Sequence, residues 1–222
     1  MNCIVTAGPT FEPLDDVRRL TNFSTGRLGT ELANFLAAHR HTVTLLIGEL
    51  ATYAGACQAR SVKTFSTTAD LRAKLKSFSG KKVDAIFHAA AVGDFTFGKM
   101  FTRAAAGKLK PFTPSRKIST RGGSLFAELV PTPKIIAELR GWFPQTKIVG
   151  WKFEADGGRT DALCAAEKQM VDCATDFCVA NGPAYGQGFN LVSKAGQKHF
   201  AAIDKLFVAL EELLKGRMKN EE

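Results

Sequence analysis

The sequence has no long apolar run: nowhere do about 18 consecutive apolar residues occur, which excludes the usual kind of transmembrane helix. Residues 1–10 do not combine a basic segment with a long apolar one, so no secretory signal peptide is expected. The five cysteines lack metal-ligand spacing, because Cys173 and Cys178 are followed by no second pair. We interpret them as reduced structural thiols and expect a cytoplasmic protein with no membrane partner.

Acidic residues are missing from residues 99–121, where basic residues are dense. The formal net charge of the chain is +9, which suits either nucleic acid or a small, multiply charged anion. Elsewhere the lysines and arginines are scattered along the chain, which favours the small anion and argues against a nucleic-acid partner. We predict that residues 96–123 form a basic flap over the ligand.

Strand-like and helix-like patterns alternate along the chain, and no internal repeat interrupts them. Continuous apolar runs such as residues 42–47 suit parallel strands that are covered on both faces. Residues 26–38 show the apolar spacing of an amphipathic helix. The alternation predicts an α/β fold: a doubly wound, Rossmann-like, mostly parallel sheet with helices on both faces and a basic flap. We expect a single domain over residues 1–222.

Several element boundaries are predicted from turn and capping residues. Pro133 is expected in the first turn of a helix that Gly141 ends. Ser24 and Thr25 precede the first helix, so their hydroxyls are expected to cap it. A further strand is predicted over residues 125–130.

The first strand and the first helix are separated by a loop of about 20 residues, where a parallel α/β unit normally uses about 2–6. The loop carries Arg18 and Asn22, which suit a ligand site. Unpaired N–H groups at a helix start attract anions, and Gly26 lets a phosphate approach. Small residues at 89–91 follow the fourth strand, at the sheet edge where ligands bind. His88, which ends that strand, is interpreted as packed rather than as a base.

Taken together, these motifs resemble phosphopantothenoylcysteine synthetase, the ligase of coenzyme A biosynthesis. The segments that carry the resemblance follow the family's order across nearly the whole chain: VTAGPT, EPLDDVR, TN-x-S-TG-x-LG, AAAV-x-DF, TP-x-II, VGW and VANGP. The resemblance implies that CTP or ATP, with Mg²⁺, activates the carboxylate of 4′-phosphopantothenate as an acyl-nucleotidylate and releases pyrophosphate. The amine of L-cysteine then forms the amide. A homodimer is also implied, in a free-standing form without the flavin-dependent decarboxylase domain that many bacterial members carry.

The resemblance implies roles for individual residues. Asn22 would hold the acyl-nucleotidylate, Arg18 would serve the cysteine step, and Lys117 of the flap would contact the triphosphate. The phosphate-binding residues implied are Gly8, Ser24 and Gly26. The other nucleotide-site positions implied are Ala89, Ala90, Ala91, Asp94, Pro133, Lys134, Ile135, Ile136, Trp151 and Lys168. No metal ligand is assigned, although Asp94 is a candidate to order Mg²⁺ or to contact the ribose or base.

The chain departs from the family pattern in three places. The stretch between the AAAV-x-DF motif and the flap lysine is longer than in many members, so the flap role is open among Lys108, Lys110 and Lys117. Trp151 stands where phenylalanine is common. Members that use CTP carry two lysines a turn apart before the VAN strand, and only the first has a counterpart here, Lys168. The choice between CTP and ATP therefore stays open.

Two other functions are compatible with parts of the sequence. An NAD(P)-dependent short-chain reductase would bind a ribose through Glu49, about 20 residues after Gly29. However, the glycines form no G-x-G-x-x-G turn, and neither Tyr53 nor Tyr185 is followed four residues later by lysine. The second alternative is a basic module that binds RNA or nucleotides, which predicts binding that weakens steeply with salt.

Overall fold

The structure, a computed structural model, describes residues 1–103, 107–113, 116–119, 121 and 123–216. The helices are α1 (Arg27–Ala38), α2 (Thr68–Lys76), α3 (Ile135–Trp142), α4 (Arg159–Cys173) and α5 (Ile203–Lys215). The strands are β1 (Asn2–Ala7), β2 (Phe11–Pro13), β3 (Arg19–Thr21), β4 (Thr42–Gly48), β5 (Ser61–Phe65), β6 (Ala85–His88), β7 (Phe95–Arg103), β8 (Leu109–Phe112), β9 (Leu125–Pro131), β10 (Lys147–Phe153), β11 (Phe177–Asn181), β12 (Phe189–Ser193) and β13 (Gly196–Phe200).

The body of the protein is an eight-stranded sheet in the order β5-β4-β1-β6-β10-β11-β12-β13. Neighbouring strands from β5 to β11 are parallel, and the β12–β13 hairpin adds two antiparallel strands at one edge. This confirms the doubly wound, mostly parallel fold. The chain winds outward from β1 through β4 to β5 and then returns to β6 on the other side of β1. The gap between β1 and β6 is therefore the switch point, where such sheets bind ligands.

Both faces of this sheet are covered by helices, as predicted. Alternate residues of β1 point to opposite faces: Val5 packs in the core beneath α1 and α5, and Ile4 packs in the core beneath α2 and α3. Helix α4 covers the same face as α3. Fully buried leucines such as Leu32 contribute about 1.5–3 kcal/mol each to folding. Within the part of the chain that the structure describes, no helix has the length and apolarity needed to cross a membrane.

The flap predicted over residues 96–123 contains regular structure that the sequence did not indicate. Strands β8, β7 and β9 form a separate three-stranded antiparallel sheet. The strand predicted over residues 125–130 is confirmed as β9, but it belongs to this second sheet. In β7 and β8 only Met100 is buried and the other side chains are exposed or partly buried, so their sequence lacks the alternation that reveals a strand. Residues 104–106, 114, 115, 120 and 122 of the flap lie outside the described residues.

Two predicted boundaries are wrong. Helix α3 begins at Ile135, so Pro133 precedes its first turn, and Gly141 lies inside the helix. The helix ends instead where Phe143 becomes buried in the core. For α1, the N-cap is Gly26, and the hydroxyl of Thr25 accepts from the backbone N of Arg27, the first helical residue, at 3.3 Å. Gly26 has φ +79°, a left-handed conformation that glycine adopts without strain.

Candidate active site

The long first loop folds as a hairpin, β2–β3, whose root lies at the switch point. At the root, Asn22 donates from Nδ2 to the backbone oxygen of Val92 at 3.1 Å. Val92 follows the end of β6, so this bond joins the first loop to the segment that carries Ala89 to Asp94. The sequence predicted both segments as parts of one site, and the structure brings them together.

Backbone hydrogen bonds reinforce this junction. Ala91 donates to the oxygen of Gly8 at 3.0 Å, and Thr10 donates to the oxygen of Ala91 at 3.1 Å. Pro9 and Ala91 form an isolated parallel bridge. Ala89, Ala90 and Ala91 stay partly exposed, so a ligand at this edge can lie against their backbone.

The start of α1 lies against the same junction. A Cβ atom at Gly26 would lie 3.4 Å from Cα of Gly8 and 3.0 Å from Cβ of Ala51, so a larger residue would crowd this turn. No acidic side chain occupies the first turn of α1. Ser24 is half-buried between Asn22 and Gly26. Gly8, Ser24 and Gly26 are therefore grouped around a helix N-terminus, the arrangement that favours a phosphate.

A buried polar network that the sequence analysis missed holds the hairpin root. The carboxylate of Glu12 accepts from the backbone N of Thr68 at 3.1 Å and from the hydroxyl of Thr96 at 2.9 Å. Thr68 is the first residue of α2 and Thr96 lies in β7. Thr10 adds a hydroxyl that accepts from the backbone N of Gly93 at 2.8 Å. The only sequence signal for this network was a carboxylate inside the loop, in EPLDD.

The hairpin tip carries Arg18 and lies against the flap. Arg18 donates to Oδ2 of Asp15 at 2.5 Å and to the backbone oxygen of Ile118 at 2.7 Å. Lys117 is exposed beside Ile118. A cavity of about 630 Å³ at the tip is lined by residues that include Arg18, Arg19 and Arg116. Strand β3 separates Arg18 from Asn22 by about 13 Å, so the two residues do not share one contact point.

The remaining predicted nucleotide-site residues are more scattered. Asp94, Pro133 and Lys134 are exposed near the carboxyl edge of the sheet, whereas the side chains of Ile135 and Ile136 are buried in the core. Contact between either isoleucine and a nucleotide would therefore involve backbone N–H groups. Lys108, just before β8, and Lys110, within it, are both exposed.

Trp151 and Lys168 lie on β10 and α4. The indole of Trp151 packs against the core beneath α1, and its Nε1 is buried with no hydrogen-bond partner among the described residues. Lys168 is exposed about 13 Å along α4 from the helix start at the carboxyl edge. The structure therefore does not bring Lys168 to the switch point.

His88 is buried at the end of β6, where its Nδ1 shares a hydrogen bond of 3.0 Å with the hydroxyl of Thr6. Burial lowers the pKa of His88 from 6.5 to about 4. The imidazole is therefore neutral near pH 7, and its position agrees with a packed histidine.

The lowered pKa of His88 predicts a pH dependence of stability. The unfolded chain binds the proton more tightly than the folded one, so the stabilisation is present above pH 6.5 and is lost as the pH falls toward 4. Between about pH 7 and about pH 4.5, the unfolding free energy should fall by roughly 2–3 kcal/mol more for the unmodified protein than for His88→Asn. Urea unfolding at both pH values measures this difference. Equal losses in the two proteins would contradict it.

Among the described residues, no group of three His, Cys, Asp or Glu side chains is arranged to hold a metal ion. Asp94 is the exposed carboxylate that follows β6. Mg²⁺ is commonly bound by one or two carboxylates together with substrate phosphates, so a single aspartate here is compatible with a metal that arrives with a nucleotide.

Comparisons with known proteins agree on one family. The sequence model described as "DNA/pantothenate metabolism flavoprotein C-terminal domain" matches residues 1–209. The coenzyme A biosynthesis bifunctional protein CoaBC of Thermococcus kodakarensis is 32% identical over 195 residues, which cover 87% of this chain and 44% of the relative. The chain spans about half the length, or less, of the curated relatives it matches.

Solved structures share the fold. The DNA/pantothenate metabolism flavoprotein from Streptococcus pneumoniae superposes with a TM-score of 0.82 at 24% identity, covering 97% of this chain and 99% of that one. A mutant of the protein Cab2, in complex with phosphopantothenate-cysteine, superposes with a TM-score of 0.71 at 18% identity. That match covers 97% of this chain and 87% of the Cab2 chain. At these identities the likeness establishes the architecture.

Proposed function

The chain belongs to the family of DNA/pantothenate metabolism flavoprotein C-terminal domains, and we propose on that basis that it joins 4′-phosphopantothenate to L-cysteine. The ligase would use CTP or ATP and release pyrophosphate. Relatives named for coenzyme A biosynthesis and the Cab2 complex with phosphopantothenate-cysteine support this activity. The reaction is proposed to take place in the cytoplasm.

One observation carries the proposal: the hydrogen bond from Asn22 to the oxygen of Val92. It fixes a side-chain amide at the switch point, between the glycine-lined start of α1 and the small residues that follow β6. An acyl-nucleotidylate needs an anion site for its phosphate and a fixed donor near its acyl group. The N–H groups at the start of α1 suit the first task. The second N–H of the Asn22 amide suits the second task.

The proposed reaction has two steps. The carboxylate of 4′-phosphopantothenate attacks the α-phosphorus of the nucleotide, and pyrophosphate leaves. The amine of L-cysteine then attacks the acyl carbon, loses a proton and expels the nucleoside monophosphate. Mg²⁺ would neutralise charge on the phosphates, and Asp94 is the residue proposed to hold it together with phosphate oxygens.

A homodimer is part of the proposal. Val17, Leu20 and Phe23 are large apolar side chains on the hairpin, and all three are exposed. Exposed large apolar side chains along a hairpin beside a proposed site support a protein contact there.

Pyrophosphate release tests the proposed reaction. We expect release in a mixture of 4′-phosphopantothenate, L-cysteine, Mg²⁺ and either CTP or ATP, with one amide product formed for each pyrophosphate. Without cysteine, a single turnover should leave the acyl-nucleotidylate bound. Absence of pyrophosphate with both nucleotides would refute the ligase. Oxidation of NAD(P)H or salt-steep binding to RNA would support the reductase or the nucleic-acid module instead.

A further inference from the structure

The hairpin tip binds the residues on both sides of Lys117. The backbone N of Asp16 donates to the oxygen of Arg116 at 2.9 Å. The backbone N of Ile118 donates to Oδ2 of Asp15 at 3.0 Å, and the oxygen of Ile118 accepts from Arg18 at 2.7 Å. The chain direction through Lys117 is therefore set by the tip of the first loop.

Asp15 is the centre of this contact. Its side chain is 0% exposed although it lies at the tip of a surface hairpin. Oδ1 accepts from the backbone N of Val17 at 2.9 Å and of Arg18 at 2.7 Å. Oδ2 accepts from Nε and Nη2 of Arg18 and from the backbone N of Ile118. These donors, with the Arg18 guanidinium first, hold the pKa of Asp15 well below its usual range, so the carboxylate stays ionised near neutral pH.

We propose that Asp15 is a positioning residue, which fixes Lys117 over the nucleotide by binding Arg18 and the backbone of Ile118 at once. The proposal rests on the ligase function proposed above and on Lys117 as the flap lysine that contacts the triphosphate, the role that the family resemblance implies for it. It also changes the role of Arg18. This guanidinium spends Nε and Nη2 on Asp15 and on Ile118, so part of its contribution is to hold the flap.

The neighbouring ion pair provides a matched control. Arg116 donates to Asp16 at 2.9 Å, but the two side chains are 95% and 59% exposed. An exposed pair of this kind contributes little to stability. Asp16 and Asp15 are adjacent and carry the same charge, so substitution of either alters the local charge equally. Only Asp15 is linked to Ile118.

The substitution Asp15→Asn tests the proposal. The asparagine oxygen can still accept from the hairpin backbone. Its NH₂ group, itself a donor, then faces the three donors from which Oδ2 of Asp15 accepted. The links to Arg18 and Ile118 are lost while the hairpin turn is kept. We expect KM for the nucleoside triphosphate to rise about tenfold or more, because a misplaced binding group is costly.

A double substitution separates positioning from a general structural effect. In a Lys117→Ala background, Asp15→Asn should have no further effect on KM for the triphosphate, since the residue it positions is gone. Hydrogen exchange supplies a readout that does not need activity: the backbone amide of Ile118 should exchange faster in Asp15→Asn than in Asp16→Asn. Asp16→Asn should keep the KM of the unmodified protein.

The outcomes distinguish this proposal from the ligase itself. If the unmodified protein shows no ligase activity, the proposed function fails. If it is active but Asp15→Asn leaves KM and Ile118 exchange unchanged, the positioning role is overturned. Effects of Asp15→Asn and Lys117→Ala that simply add would also overturn it, because independent sites add and coupled ones do not.

Discussion

The substitution Asn22→Ala should lower the rate of acyl-nucleotidylate formation about 10²–10³-fold, the usual cost of removing one preorganised donor. The amide is exposed towards the site and is oriented by its bond to Val92. Alanine removes both the donor and its orienting hydrogen bond to Val92. Single-turnover release of pyrophosphate in the absence of cysteine measures this step alone.

Controls for Asn22→Ala are available in the chain. Asn34 is half-buried, and its side-chain amide only holds a loop: it donates to the oxygen of Ala56 at 2.7 Å and accepts from the backbone N of Gln58 at 2.7 Å. Asn34→Ala should leave the single-turnover rate nearly unchanged. Because Asn22 is exposed, its loss should cost less than about 1 kcal/mol of unfolding free energy. A near-normal rate for Asn22→Ala would mean that this residue has no part in the chemistry.

Glu12→Ala should destabilise the protein by about 2–4 kcal/mol, because it leaves a buried N–H and a hydroxyl without their acceptor. Glu12 is 8% exposed and links the hairpin root to Thr68 and Thr96. A loss near 3 kcal/mol would lower Tm by roughly 6–12 °C in a protein of this size. Thermal unfolding followed by circular dichroism measures the change.

Glu12→Gln is the matched variant. A glutamine oxygen can accept from the backbone of Thr68, and its NH₂ group can donate to the hydroxyl of Thr96. The remaining cost is the lost negative charge at the start of α2, typically about 0.3–1 kcal/mol. If the alanine and glutamine variants melt at the same temperature, the two hydrogen bonds do not account for the role of Glu12.

The body of the fold could be predicted from the sequence because its elements bury one or both faces. The continuous apolar run of β4 indicates a buried strand, and the apolar spacing of α1 indicates an amphipathic helix. The flap strands β7 and β8 bury only Met100 and leave their other side chains exposed or partly buried, so no burial pattern marks them. Hairpin β2–β3 uses strands of only three residues, too short for a period to be read. Gly141 was mistaken for a helix stop because nothing local shows that the helix continues.

The part of the site that could be predicted from the sequence consists of residues in the loops that follow strand ends. Asn22, Gly8 and the alanines after β6 meet because the switch point brings the loops of neighbouring strands together. The partners of Glu12 and the contact of Asp15 with Ile118 could not be inferred, since these residues lie 56 to 103 positions apart along the chain. Lys168 shows the opposite case: its sequence position suggested the site, but α4 carries it away from the carboxyl edge.

The two strands that leave and re-enter the body at the flap begin and end side by side. Phe95 at the start of β7 is paired with Pro131 at the end of β9, so the chain departs and returns within about 5.5 Å. The segment between these two residues is thus an insertion whose two ends are held together. Its length can change without moving β6 or α3. Residues 97–130 accordingly form a module that joins the Rossmann-like body through these paired ends and through the contacts of Arg116 and Ile118 with the hairpin tip.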